Sequence, residues 1–561
     1  MKLNKEILRL AVPSILANIT VPLVGMVDMA VVGHLGGVEG YAGAALIGGI
    51  SVGTMLFDLL YWNFAFLRAG TGGLTAQAYG RHLAAVASAS TSGAFSASGA
   101  PGQATNGTPG AFSASGAPGI VTILGRALRI ALLSGVALIA LQWVVVQLAF
   151  LVVDCTPEVR ALATRYFYIR IWAAPATLSL FALKGWFIGL QDTLRPMLVD
   201  LWVNLVNILL SLGLGFGLHL GSSVGTAGLG TAVGAGVTLL PTLGFAGVAW
   251  GTVIAQWTGL FLAILLARKY LSLSHFLKIL GSFCAEDFQQ SADNQCVSGQ
   301  PNSAQATSNQ PQATSNQPQA TTQRPQSAPS TEAASFFTLN RDLFLRSVGM
   351  IAVYIGFTVI GAGLGDRMLA VSSILMKLLM LFSYFTDGFA YAGEALTGRF
   401  VGEHDQDGVR STVRGTFAWG FGLAGAFMLL YGVGGTSLLQ LMTSDTTVVE
   451  AGRTFLPWLL LMPLIGCPAF TWDGIYIGAT ASKDLRNSVL LCAVGFFIVW
   501  FAGRWILAAL GIGTITPGSL SPEASLHLLM AAYFVHLAIR SLYQTVRYRP
   551  AVLLPHFQAG S

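Results

Sequence analysis

The chain has 561 residues, 54% of them apolar and 10% charged, with a formal net charge of +6. Soluble domains carry about 25% charged residues, so this composition and a mean hydropathy of +0.66 exclude an ordinary soluble protein. The positive balance fits basic loops on one side of a membrane better than nucleic-acid binding.

A spanning helix needs roughly 20 predominantly apolar residues. By that measure the sequence predicts an all-α polytopic membrane protein with twelve transmembrane helices. The first six fall near 7–33, 44–70, 126–152, 160–189, 195–219 and 245–267, and the second six near 342–364, 369–396, 413–436, 450–480, 487–511 and 525–546. The opening Met1-Lys2-Leu3-Asn4-Lys5 runs into an apolar stretch too long for a signal-peptide core, so an uncleaved first helix is expected.

Two stretches do not suit a membrane. Residues 85–119 repeat Gly-Ala-Phe-Ser-Ala-Ser-Gly-Ala-Pro-Gly at 93–102 and 110–119, and residues 285–335 repeat Ser-Asn-Gln-Pro-Gln-Ala-Thr at 308–314 and 315–321. Neither can bury enough apolar area to offset the entropy of ordering, so both are expected to be disordered. The domains expected are an N-lobe over 1–284, containing the first insert, a linker over 285–335 and a C-lobe over 336–561.

The lobes share a pattern. Thr75-Ala-Gln77-Ala-Tyr-Gly80 recurs as Thr397-Gly-Arg399-Phe-Val-Gly402, and Arg165, Pro175 and Gly185-x-x-Ile188-Gly189 recur as Arg453, Pro463 and Gly474-x-x-Ile477-Gly478. Two related halves predict pseudo-symmetric six-helix lobes with a solute site at their interface. The Gly-x-x-Ile-Gly element serves either tight packing or a hinge. Arg81, Arg126, Arg195, Arg268, Arg399 and Lys483 lie in one set of loops, whereas those near 34–43, 220–244, 437–449 and 512–524 carry no Lys or Arg. The positive-inside rule then places both termini and both inserts in the cytoplasm.

Charges inside such helices cost roughly 2.5–3.5 kcal/mol and need a reason. Asp28 reads either as a carboxylate facing a cavity, able to alternate between charged and neutral forms, or as an interfacial acid reaching water. Asp200, Asn204, Asn207 and Ser211 recur at helical spacing and share one face, which lines a cavity or glues helices together. Asp387 and Glu394 also share a face, Glu394 near a helix end as a gate or solvated group. Lys184 and Lys377 are candidates to neutralise acids; Asp473 is a site residue or half of such a pair; Asp58 is a further interior acid. Arg165 and Arg170 are expected to reach the outer interface. His34, His219 and His404 are isolated. No nucleotide, zinc or nucleophile motif appears, and the five cysteines show neither metal-ligand nor disulfide spacing. No enzymatic activity, metal centre or cofactor is expected.

Ile7-Leu-Arg9-Leu-Ala-Val-Pro13, Val27-Asp28-x3-Val32-Gly33-His34-Leu-Gly36, Leu67-Arg-x-Gly70-Thr-x-Gly73-Leu-x-Ala76-Gln77 and Gly185-Trp-Phe-Ile-Gly189-Leu-Gln191-Asp192 resemble the multidrug and toxic compound extrusion (MATE) family, and within it the DinF-like branch. Phe382-Ser-Tyr-Phe-x-Asp387-Gly-x3-Ala392-x-Glu394 agrees. The resemblance implies two six-helix lobes around a central cavity, and an antiporter exporting cationic or amphipathic small molecules against inward H⁺, with Na⁺ as the alternative ion. It assigns cation coupling, including any transient Na⁺, to Asp28 and Asn207. Relatives carry an aspartate where this chain has Ser211, and Asp200 on the same stripe is the candidate substitute. Asn204, Ser211, Lys184 and Asp387 are then expected to line the substrate cavity, with Asp473, Glu394 and Lys377 at a C-lobe site or gate. The chain is expected to act as a monomer in a bacterial inner membrane, with no nucleic-acid partner. Two other readings stand beside this one. A lipid-linked oligosaccharide flippase of the same superfamily would need an Arg-rich cavity, which the sequence does not suggest. A non-transporting scaffold would not need paired lobes.

Overall fold

The computed structural model describes residues 2–35, 43–91, 118–151, 156–220, 237–271, 329–442, 446–512, 514–516 and 519–557. Twelve spans among them are long and apolar enough to cross a membrane. The N-lobe runs α1 (Lys2–His34), α2 (Gly43–Trp62), α3 (Phe66–Thr91), α4 (Pro118–Ala140), α5 (Gln142–Ala149), α6 (Pro157–Arg170), α7 (Ala174–Gly189), α8 (Leu194–Phe216) and α9 (Gly244–Ala267). The C-lobe runs α10 (Pro329–Ala362), α11 (Asp366–Glu403), α12 (Gln406–Met442), α13 (Thr446–Arg453), α14 (Leu456–Gly478), α15 (Ser482–Ala509), α16 (Pro522–Tyr548) and α17 (Leu554–Phe557). Two short antiparallel ribbons, Leu218–Leu220 with Val237–Leu240 and Thr514–Thr516 with Ser519–Leu520, follow α8 and α15 at matching places in the two lobes.

Several boundaries differ from the expected ones. The second span is not one helix over 44–70: it breaks at Asn63–Ala65 and continues as α3 to Thr91. The first seven residues of the stretch 85–119 are therefore helical, and 92–117 lie outside the described residues. α10 likewise takes in 329–335, while 285–328 lie outside.

Helix entry follows local chemistry. Thr156 accepts a hydrogen bond from the Val159 N–H and Ser521 one from Ala524, each followed by a proline at the first helical position, where its missing N–H costs nothing. In α1, Pro22 cannot donate to the carbonyl four residues back, which loosens the helix just before Asp28.

Each lobe has its own apolar core. Phe57, Tyr166, Phe167 and Phe245 pack in the N-lobe, and Phe382, Phe427, Leu459 and Phe496 in the C-lobe. The outer faces carry bare apolar side chains, Val433 90% and Leu441 81% exposed among them, as lipid contact requires.

The lobes meet where the repeated motifs predicted kinship, and they meet reciprocally. A Cβ at Gly185 would strike the Arg68 carbonyl, and one at the matching Gly474 would strike that of Ala390, 322 positions after Arg68. A Cβ at Gly80 would strike the Arg399 carbonyl, and one at Gly402 that of Gln77. The second pair crosses the interface: each motif abuts its own counterpart about a pseudo-two-fold axis. The glycines of Gly-x-x-Ile-Gly thus serve close packing.

Side chains complete the seam. Gln77 Nε2 donates to the Gly478 carbonyl (3.1 Å) and to Thr480 Oγ1 (3.1 Å), while the matching Arg399 donates to Gln191 (3.4 Å) and to Glu6 (3.0 Å). Gln191 and Thr480 both take left-handed backbone conformations, at φ 61° and 54°. This seam lies at the end of the bundle that carries Glu6 near the start of α1 and His556 in α17, which bonds Ala479 (3.0 Å). Further from it, Asp58 on α2 and Lys377 on α11 are exposed and within electrostatic range of each other across the two lobes.

Candidate functional site

Three sets of interior polar groups stand out. The first lies wholly in the N-lobe. Ser211 on α8 donates to the Asp28 carboxylate on α1 (2.7 Å) and lies 3.5 Å from the side-chain oxygen Oδ1 of Asn207 one turn away. Asn207 donates through Nδ2 to Thr252 on α9 (2.8 Å), whose hydroxyl bonds back to the Val248 carbonyl (3.3 Å). Spacing of three and four residues sets Asn204, Asn207 and Ser211 on one face, and α1 and α9 pack on either side of it. Asp28 is 7% exposed and enclosed among α1, α8 and α9 rather than reaching water as an interfacial acid. Its bonded partners are all neutral.

Asp200 does not join that set. It forms an ion pair with Lys184 on α7, and eleven residues of helix, roughly 16 Å at 1.5 Å per residue, separate it from Ser211. It is therefore no substitute for the aspartate missing at 211. Asn204 turns to Thr20 on α1. The stripe is real, but its members bond to three different helices.

The second set lies in the C-lobe. Asp473 on α14 pairs with Arg346 on α10 and Arg540 on α16, and accepts from Gln544 (3.1 Å). Asp473 is thus one half of an ion-pair cluster, with two cations rather than the single lysine anticipated. Lys377 takes no part in it.

The third set bridges the lobes. Arg68 on α3 pairs with Glu394 on α11 (3.2 Å), and its guanidinium lies over the Tyr391 ring, 4.4 Å from the centroid. Glu394 is 0% exposed, so the solvated-end reading is corrected: it is sealed at the interface and bonded to the other lobe. Asp387 lies two turns along the same face, within electrostatic reach of Arg68, Arg346 and Arg540, and forms no hydrogen bond or ion pair among the described residues.

Sequence reasoning missed Arg68, Arg346 and Arg540, taking intramembrane cations as rare. Arg68 had a signal, since it stands inside the Leu67–Gly80 motif. Arg170 was misplaced: it turns inward, bonds Tyr166 (3.1 Å) and covers the Phe57 ring at 4.8 Å, whereas Arg165 is exposed as expected. Thr20 and Thr252 carried no signal. The side chains of His34 and His219 lie outside the described residues.

Two pseudo-symmetric bundles of membrane-spanning helices joined across a buried ion pair have the architecture of a membrane transporter. The MatE family model matches residues 84–212 and 343–499, just over half of the chain. DNA damage-inducible protein F of Escherichia coli (strain K12) is 28% identical over 503 residues, covering 90% of this chain and 86% of that protein. Among solved structures, the MATE transporter VcmN of Vibrio cholerae in its bent form superposes with a TM-score of 0.65 at 14% identity, over 98% of this chain and 97% of that one. A MOP superfamily transporter from Pyrococcus furiosus gives 0.63 at 17% identity, over 97% and 96%. The chain belongs to the MatE family.

Proposed function

We propose that the protein is a cation-coupled antiporter that exports cationic or amphipathic small molecules by alternating access. H⁺ is the favoured coupling ion and Na⁺ the alternative. The observation that carries this reading is the buried Asp28 carboxylate held by Ser211 alone, with Asn207 and Thr252 behind it. The bonded partner is neutral, and Arg170, within electrostatic range, bonds Tyr166 rather than the carboxylate, so gaining a proton or a monovalent cation breaks no ion pair.

The steps follow from the geometry. With the termini end closed and the other end open, Asp28 takes up the ion. Ser211 and Asn207 then rearrange, and α1, loosened at Pro22, transmits the change to α11, which it touches through Asn18 and the Tyr384 carbonyl (3.2 Å). The lobes rock, the seam opens, the ion leaves and substrate loads. A ligand biases such an equilibrium only by binding its two states unequally, and enclosure of Asp28 provides that inequality.

On this reading both termini lie in the cytoplasm of a bacterial inner membrane, which the one-sided distribution of basic loop residues supports, and the unit that works is a monomer. The flippase alternative was set aside for want of interior arginines, and that premise is corrected by Arg68, Arg346 and Arg540. Arg68 bonds Glu394 while Arg346 and Arg540 share Asp473, so these guanidiniums are paired rather than a bare cationic surface. The test is efflux from proteoliposomes under separately imposed pH and Na⁺ gradients. Export driven by either gradient is expected; export indifferent to both overturns the antiporter reading.

A further inference from the structure

Asp387, Tyr391 and Glu394 are spaced four and three residues apart on α11, so they form one continuous face. Two carboxylates flanking an aromatic ring suit an organic cation, which takes Coulomb attraction from the acids and quadrupole attraction from the ring face. In this conformation a cation already stands there. Arg68, from the other lobe, bonds Glu394 through Oε2 and stacks on Tyr391, with Asp387 in electrostatic reach. The second Glu394 oxygen, Oε1, is buried with no hydrogen-bond partner, so the site's acceptor capacity is not exhausted.

The room for this arrangement comes from broken symmetry. Glu394 stands 322 positions after Gly72, its counterpart in the N-lobe motif, and a Cβ at Gly72 would collide with Glu394 Oε1. The counterpart of Arg68 is Ala390. A second inter-lobe ion pair, Arg68–Glu394, therefore joins Arg399–Glu6 on a seam otherwise built largely of small residues and amides.

We propose that Asp387, Tyr391 and Glu394 bind the cationic centre of a transported molecule, and that Arg68 fills this site as a tethered surrogate whenever the termini end is closed. The idea rests on the cationic-substrate reading above. Substrate arriving from the termini side displaces Arg68, which removes one of the ion pairs joining the lobes and leaves Arg399–Glu6. Once the substrate has left, Arg68 returns and reseals the seam. Binding and closure thus compete for one set of acceptors, and the competition is reciprocal.

The test uses the full-length purified protein and tetraphenylphosphonium as probe, with affinity read by equilibrium dialysis. If the surrogate form outnumbers the vacated form by about ten to one, Arg68→Ala tightens binding about tenfold. Glu394→Gln weakens binding in both backgrounds. Methylguanidinium, a free copy of the deleted group, competes with the probe in Arg68→Ala and not in the parent protein. Should Arg68→Ala fail to fold, Arg68→Lys keeps the charge and loses the planar stack, with a gain of about threefold expected. Unchanged or weaker binding by the folded variant, or methylguanidinium without effect on it, overturns the proposal. If the parent protein neither binds nor transports the probe, the substrate reading itself fails. A parent protein that transports it while the folded variant binds no tighter refutes the surrogate alone.

Discussion

In the N-lobe the carboxylate of Asp28 rests on a serine hydroxyl, with an asparagine and a threonine behind it. In the C-lobe that of Asp473 is held by Arg346, Arg540 and Gln544. Both acids are nearly sealed, yet their chemistry differs. Neutralising Asp473 strands two guanidiniums in a medium that does not solvate them. Neutralising Asp28 breaks no ion pair, because its bonded partner is a hydroxyl that turns equally to a charged or an uncharged acid and Arg170, within electrostatic range, is held by Tyr166. The two lobes have thus diverged, one with an acid bonded only to neutral groups and one that is cross-braced.

The contrast is broken or sharpened by substitution. Asp473→Asn is expected to destabilise the protein by about 3–5 kcal/mol, the usual cost of removing one partner from a buried ion pair. Thermal unfolding in detergent measures this. A melting temperature unchanged from the parent would mean that the C-lobe cluster is not a brace. Next in size, Ser211→Ala removes the hydroxyl bonded to Asp28, a bond to a charged group worth about 1.5–3 kcal/mol. Gradient-driven efflux is expected to slow in that variant yet to keep its dependence on the imposed gradient, because the carboxylate remains.

Asp200→Asn tests whether the polar stripe is one site. The Asp200–Lys184 pair is partly exposed, so its loss is expected to cost about 0–1 kcal/mol and to leave coupling intact. Loss of ion coupling in this variant would return Asp200 to the ion path. The smallest effect is expected from deleting 92–117 and 285–328, whose small, polar, repetitive composition carries no intramembrane charge. Efflux at the parental rate is the predicted outcome; its loss would favour the scaffold reading.

The sequence made the spans legible because hydrocarbon imposes one length and one composition on every crossing helix. The repeat was legible too, since Gln77 and Arg399 occupy matching places in the two motifs. That these motifs would abut each other was not, because a linear pattern carries no information about the axis relating its copies. Asp28, Asn207 and Ser211 were found because an acid and a helical polar stripe are conspicuous against apolar neighbours. Thr252 escaped because an isolated threonine in a helix usually satisfies itself on its own backbone, as it also does here. Arg346 and Arg540 escaped because long side chains near helix ends usually reach the interface, and only tertiary packing turns them inward onto Asp473.

The central claim is that an ion exchanges at the Asp28 carboxylate to drive export. Its most direct test is Asp28→Asn, close to isosteric and still able to accept from Ser211, assayed in proteoliposomes under imposed pH and Na⁺ gradients alongside thermal unfolding. A variant that melts like the parent and shows no gradient-driven efflux is the predicted result. A well-folded variant that exports at the parental rate under either gradient would contradict it.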